Sequence, residues 1–213
     1  MACPSMMVTV LRATLSRRST RRSWGRTPAG TRHRLMAVVA GLLLLSACSG
    51  GVAAEQNPSQ SDYGGVVPAQ ERVLAPEVTG TLLDGSEFRL TDWAGKVVVI
   101  NFWGSWCGPC RVEAPELRAV YEATRASGVE FLGVDVKDQR QLAIAFEQRF
   151  GIEYPSIFDP RGEVALLFQN VPTNAIPTTL VIDRAGRVAS VFPRPLREED
   201  LLPVVMALAE EAA

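Results

Sequence analysis

Hydrophobic and polar positions divide the chain into three textures. Residues 12–34 are rich in Arg, Ser and Thr, and residues 35–47 form a run of thirteen mostly apolar side chains. Residues 49–76 are largely Gly, Ser, Gln, Asn and Pro. From Val78 onward, apolar positions recur with the periods of strands and helices. Residues 78–83 and 87–90 flank Asp84-Gly85 and predict a hairpin, because Asp-Gly supplies the positive φ that a tight turn needs. Residues 96–103 are almost continuously β-branched or aromatic, which predicts a central strand buried on both faces. Helical spacing follows over 109–127, with a kink at Pro115. A strand is predicted at 130–136, and a helix at 139–150 with Leu142, Ala143, Ala145, Phe146 and Phe150 as its apolar positions. Next come a short helix at 162–170, strands at 178–183 and 188–192 around a turn, and a closing helix at 198–211 interrupted by Pro203. Strands alternating with helices predict an α/β fold that ends in an antiparallel hairpin.

Composition narrows the function. The chain has 213 residues, 47% hydrophobic and 21% charged, which is room for one domain plus extensions. The net charge of -1 conceals an asymmetry. Eight of the 22 basic residues are Arg within the first 47, which hold no acid, so residues 48–213 carry 14 bases against 23 acids, a net of -9. An acidic body argues against nucleic-acid binding. The only histidine is His33, in the basic N-terminal stretch. Without that stretch, a Ser-His-Asp or Cys-His hydrolase, a His-ligated zinc and a His-ligated haem are all disfavoured. Cysteines at 3, 48, 107 and 110 are too few and too unevenly placed for a disulfide scaffold.

The first 47 residues have the order of a signal peptide: basic region, apolar run, small residues. The apolar run falls short of the roughly 20 residues of a spanning helix. Leu45-Ser46-Ala47-Cys48 resembles the bacterial lipoprotein cleavage box, which implies that Cys48 becomes the lipidated first residue. The alternatives are a plain cleaved signal, with Cys48 an incidental thiol, and an uncleaved anchor. All three place the body outside the cytoplasmic membrane, and the lipoprotein reading holds it by lipid at the extracytoplasmic face of the bacterial cell membrane. Arg17-Arg18 and Arg21-Arg22 resemble a twin-arginine signal, but they lie far from the apolar run. Residues 48–75 read as a flexible tether with a reach of about 25–30 Å.

The chemical signal is Trp106-Cys107-Gly108-Pro109-Cys110, between the buried strand and the first long helix. Two cysteines at this spacing can close and reopen a small disulfide. At a helix N-terminus, free N–H groups and the helix dipole stabilise a thiolate on Cys107, the nucleophile. Cys110, one turn deeper, is placed to resolve a mixed disulfide. Pro109 sits where a missing N–H costs little. Half a zinc site is the competing explanation, but no second ligand pair follows. A purely structural bridge is the other, although so short a loop stabilises little.

The stretch from Asn101 to Arg111, Asn-Phe-Trp-Gly-Ser-Trp-Cys-Gly-Pro-Cys-Arg, resembles thioredoxin. The N-terminal hairpin, Cys110-Arg111-Val112-Glu113-Ala114-Pro115 and residues 138–170 narrow the resemblance to the membrane-tethered TlpA/ResA-type branch, over about residues 76–212. It implies a thioredoxin fold over 76–213: a central mixed β-sheet flanked by helices, with an N-terminal β-hairpin and a central insertion. In Ile176-Pro177-Thr178-Thr179 it implies a cis Pro177 facing the disulfide and an Ile176 backbone that binds an extended peptide. It implies that Trp106 covers the disulfide and, with Gly108 and Pro109, shapes peptide docking. Thioredoxin has a buried Asp where this chain has Asn101, which cannot act as a base. Glu113 matches a glutamate that takes the proton from Cys110, although a solvated first-turn residue would look the same. Some reductases of this type carry Glu between the cysteines, where this chain has Gly108.

The implied function is an extracytoplasmic thiol–disulfide oxidoreductase that reduces the Cys-x-x-Cys-His of apocytochrome c. It would be monomeric, without metal or other cofactor, and fed by a membrane thiol-reducing electron donor. An oxidant that introduces disulfides into secreted proteins would use the same residues. A copper chaperone of this fold would want Cys-x-x-x-Cys and a distant His. A peroxidase would want Thr-x-x-Cys, which this chain lacks.

Overall fold

The longest apolar run becomes the middle of the sheet. In the computed structural model, which describes residues 64–169, 171–173 and 175–211, Val97–Trp103 forms β3 with all seven side chains buried. Residues 1–63, with the predicted signal peptide, Cys48 and most of the predicted tether, lie outside the described residues. The hairpin is β1 (Thr79–Thr81) and β2 (Glu87–Arg89). After β3 come α1 (Gly108–Thr124), β4 (Val129–Val136), α2 (Arg140–Phe150), β5 (Ser156–Asp159) and α3 (Glu163–Leu167). The chain closes with β6 (Thr178–Ile182), β7 (Val188–Phe192) and α4 (Glu198–Glu210). The sheet order is β5-β4-β3-β6-β7, with β3, β4 and β5 parallel and β6 and β7 antiparallel to their neighbours. The chain thus has the α/β thioredoxin fold.

The pleat of β3 sorts its residues. Val97 and Val99 pack with Leu117 and Val120 of α1 and with Leu201, Val205 and Leu208 of α4. Val98, Ile100 and Phe102 face the other way, against Phe88 of the hairpin, Val164 of α3, and Phe168. Alternation with period two makes one strand the core of both layers. Helix α1 buries Cys110, Glu113, Ala114, Leu117, Val120 and Thr124, a stripe at helical spacing. Pro115 falls within α1 on its exposed side.

Several elements differ from expectation. The hairpin closes through a three-residue loop, with Leu82 N–H donating to Ser86 O at 2.8 Å, and only Gly85 takes a positive φ, 93°. Strand β5 was not predicted, because four residues with Ser and Asp at the ends show no period. Helix α3 is shorter than the predicted 162–170, and α4 runs unbroken through Pro203 because Leu201, Val205 and Leu208 hold it on the core. Residues 64–75, assigned to the tether from sequence, lie along β7. Val67 N–H donates to Ala189 O at 2.8 Å and Val188 N–H to Val73 O at 2.8 Å.

Arg72 locks this segment in place. Its buried guanidinium bonds Asp183 at 3.0 Å, Glu211 at 2.6 Å and the Val67 carbonyl at 2.8 Å. Replacing Arg72 by Ala removes these bonds while Arg187 still pairs with Asp183. The expected loss is about 1–3 kcal/mol in urea unfolding. Thermolysin should cut residues 64–75 first, and unchanged cleavage there would contradict the lock.

Candidate active site

The end of β3 delivers the chain into the reactive loop. Gly104 is small by necessity, because a Cβ there would meet the Trp106 indole nitrogen at 2.8 Å. Trp106 Nε1 donates to Val136 O at 3.4 Å, and the ring is 55% exposed. The Ser105 carbonyl accepts from Arg111 Nη2 at 2.6 Å. Cys107 caps α1: its Sγ accepts from Cys110 N–H at 3.2 Å. Gly108 and Pro109 form the exposed first two positions of the helix, where Pro gives up no intrahelical bond. Cys107 and Cys110 are joined as a disulfide, 3% and 1% exposed. The first sulfur therefore lies where α1 presents unpaired N–H groups and the positive end of its dipole.

Trp103, read from sequence only as a strand and motif residue, is the bed of this disulfide. It packs with Cys107, Cys110, Ala114, Ala143 and Phe146, and its ring stacks on Phe146 at 4.5 Å. A cavity of about 10 Å³ lies against Cys110, walled also by Asn101, Trp103 and Tyr154.

Glu113 lies one turn below Cys110 and is 1% exposed. It is therefore not a solvated helix residue. Its Oε1 accepts from Asn101 Nδ2 at 2.9 Å and its Oε2 from Leu196 N–H at 3.1 Å. Asn101 also donates to Thr179 Oγ1 at 3.1 Å, which ties β3 to β6. Burial pushes the Glu113 carboxyl up to about 7, against the bonds from Asn101 and Leu196 that lower it. Asn101, where thioredoxin has its acid, thus serves as the donor that orients the acid on α1. The partners Thr179 and Leu196 are far apart in sequence, and no local pattern marks them.

The Ile176–Pro177 peptide bond is cis. Ile176 packs against the cluster that contains both cysteines, and Pro177 is buried. Thr178 Oγ1 donates to Ala175 O at 2.7 Å and steadies this loop. Cys107, Cys110, Glu113, Trp106, Gly108, Pro109, Ile176 and Pro177 are therefore drawn to one end of the sheet. Cys48 lies outside the described residues. Among those residues, no three His, Cys, Asp or Glu side chains converge as metal ligands would, and no helix is long and apolar enough to cross a membrane.

Residues 72–191 match the AhpC/TSA family. The thiol–disulfide oxidoreductase ResA of Geobacillus thermodenitrificans is 36% identical over 127 residues, 60% of this chain and 71% of that protein. Among solved structures, a secreted thiol–disulfide isomerase from Corynebacterium glutamicum aligns with a TM-score of 0.66 at 36% identity, covering 68% of this chain and 91% of that one. A DsbF homologue from Corynebacterium diphtheriae aligns with a TM-score of 0.64 at 36% identity, covering 67% and 91%.

The buried Glu113 makes stability depend on pH. Its folded-state pKa, about 7, lies above the ordinary 4.5, so its contribution is full below 4.5 and lost as pH rises through 7. Glu113→Gln cannot ionise. Between pH 4.5 and 8, wild type should lose on the order of 3 kcal/mol relative to this variant in urea unfolding. A constant difference would place the carboxyl in water.

Proposed function

The chain belongs to the AhpC/TSA family and is a thiol–disulfide oxidoreductase of the ResA/DsbE type, and from that premise we propose that it acts as an extracytoplasmic reductase of protein disulfides, with apocytochrome c as its client. The observation that carries this reading is the disulfide at the start of α1, with the Glu113 carboxyl buried one turn below its inner sulfur. In the reduced enzyme, the helix start favours a thiolate on Cys107. That thiolate attacks one sulfur of a client disulfide, and the other client sulfur leaves as a thiolate. Cys110 then loses its proton, attacks Cys107 and releases the reduced client, so two electrons pass to the client and the Cys107–Cys110 bond forms. Glu113 as carboxylate receives the Cys110 proton, and its pKa near 7 suits both directions of that transfer. A membrane thiol-reducing donor then restores the dithiol.

Peptide docking belongs beside Ile176 and Pro177. Among the described residues, the Ile176 amide and carbonyl make no backbone hydrogen bond, which leaves them for an extended client segment. Trp106, Gly108 and Pro109 are exposed beside the disulfide and are available to the same segment. The signal-like residues 1–47 and Cys48 support anchoring by lipid at the outer face of the cell membrane, with residues 49–63 as spacer.

Direction is tested by equilibrating the protein with glutathione or dithiothreitol buffers. A reductase should show a potential at or below roughly -230 mV, and a value near about -120 mV would instead identify an oxidant. Cys110→Ser cannot resolve, so it should accumulate a mixed disulfide through Cys107 with a peptide carrying an oxidised Cys-x-x-Cys-His. Cys107→Ser should form none. If both variants trap the peptide equally, the assigned roles are wrong.

A further inference from the structure

Asp135 of β4 takes no part in the chemistry proposed above, yet it sits beside the site. It is 0% exposed and stands opposite Trp103 in the parallel β3–β4 register. Trp103 in turn packs against both cysteines. As a carboxylate, Asp135 has no hydrogen-bond partner on either oxygen. A buried charge without a partner is strongly disfavoured, so the group stays protonated. Burial pushes it up to about 8, and the charges that face it push the same way: Asp138 in the following loop, Glu147 on α2 and Asp159 on β5. Once protonated, it has a hydrogen to give, and Asp138 is the acceptor within reach.

Asp138 connects this pair to the reactive loop. Lys137 takes a left-handed φ of 54° and turns the chain between the two acids. The Asp138 carboxylate then accepts from Ser105 N–H at 2.6 Å and from Gln139 N–H at 2.7 Å. Burial works against its charge, but the hydrogen bonds from Ser105 and Gln139 outweigh it, so Asp138 stays below the usual carboxylate range. Ser105 lies two residues before Cys107, and its carbonyl is the one that Arg111 holds. The two acids thus carry one negative charge between them, aimed at the amide of the loop.

We propose that Asp135 is a positioning residue of the dithiol loop: its protonated carboxyl donates to the Asp138 carboxylate, which holds the Ser105 amide and so fixes the chain leading into Cys107. The anchor lasts only while Asp135 keeps its proton. When that proton leaves, the fully buried Asp135 carboxylate faces the half-buried Asp138 carboxylate, and Asp138 is driven from Ser105. This needs only the dithiol chemistry of Cys107 and Cys110 and is independent of the direction of electron flow.

The test is amide hydrogen exchange at Ser105 in the oxidised full-length protein from pH 6 to 9.5, corrected for the intrinsic pH dependence of exchange. In wild type, Ser105 protection should fall at least tenfold above about pH 8, while amides in the middle of β3 keep theirs. Asp135→Asn keeps a donor for Asp138 but cannot ionise, so it should retain Ser105 protection throughout. Asp135→Leu should lack that protection already at pH 6. Flat protection in wild type, or an equal fall in Asp135→Asn, would overturn the proposal. Wild type and the Asn variant decide the matter even if the Leu variant does not fold. An oxidising potential would sink the reductase reading and leave this result standing.

Discussion

A single buried carboxyl ties together the three elements that meet beneath the disulfide. Glu113 projects from α1, takes one hydrogen bond from Asn101 on β3 and another from the Leu196 amide before α4. Asn101 extends the link to Thr179 on β6. The helix that carries both cysteines is thereby pinned to the sheet and to the last connection of the chain. An apolar residue at 113 would pack as well, but it would leave one N–H of the buried Asn101 amide and the buried Leu196 N–H without acceptors. The acid is retained at a cost in desolvation, and that cost is what brings its proton affinity near neutrality.

The same logic spreads over the surrounding acids. Burial raises Glu113, Asp135 and Glu147, so each can be neutral close to physiological pH. Residues 48–213 are acidic overall, yet burial draws these three acids toward their neutral form. Each of these acids that holds its proton removes a charge that would oppose a thiolate on Cys107.

The fold was legible where apolar runs were long. Seven buried residues in a row mark β3, and the spacing along α1 marks its buried stripe. The cysteine pair was legible because its chemistry depends on local spacing and on a helix beginning at that point. Ile176 and Pro177 drew notice only through resemblance, since a proline before a strand has no distinctive pattern of its own. Asn101 read as an absent base, whereas its amide is a donor that only tertiary contact reveals. Asp135 lies within the predicted strand 130–136, and nothing in that pattern singles it out. Its isolation comes from neighbours on α2, β5 and the loop beyond β4. Strand β5 and the segment at 64–75 escaped notice because their partners, not their composition, make them extended.

Hydrogen bonding at the two sides of the sheet has a further consequence. Beyond β7, residues 64–75 occupy the outward backbone groups. Beyond β5, the hairpin does the same, with Leu83 N–H on Ser156 O at 2.9 Å and Leu82 bridged to Ile157. Open sheet margins recruit any extended chain that passes, which is how strands add and aggregates begin. A domain acting on the unfolded apoprotein proposed as its client would meet such chains constantly. With both margins closed, an incoming chain finds little unpaired backbone to zip onto, and the sheet keeps to its own strands.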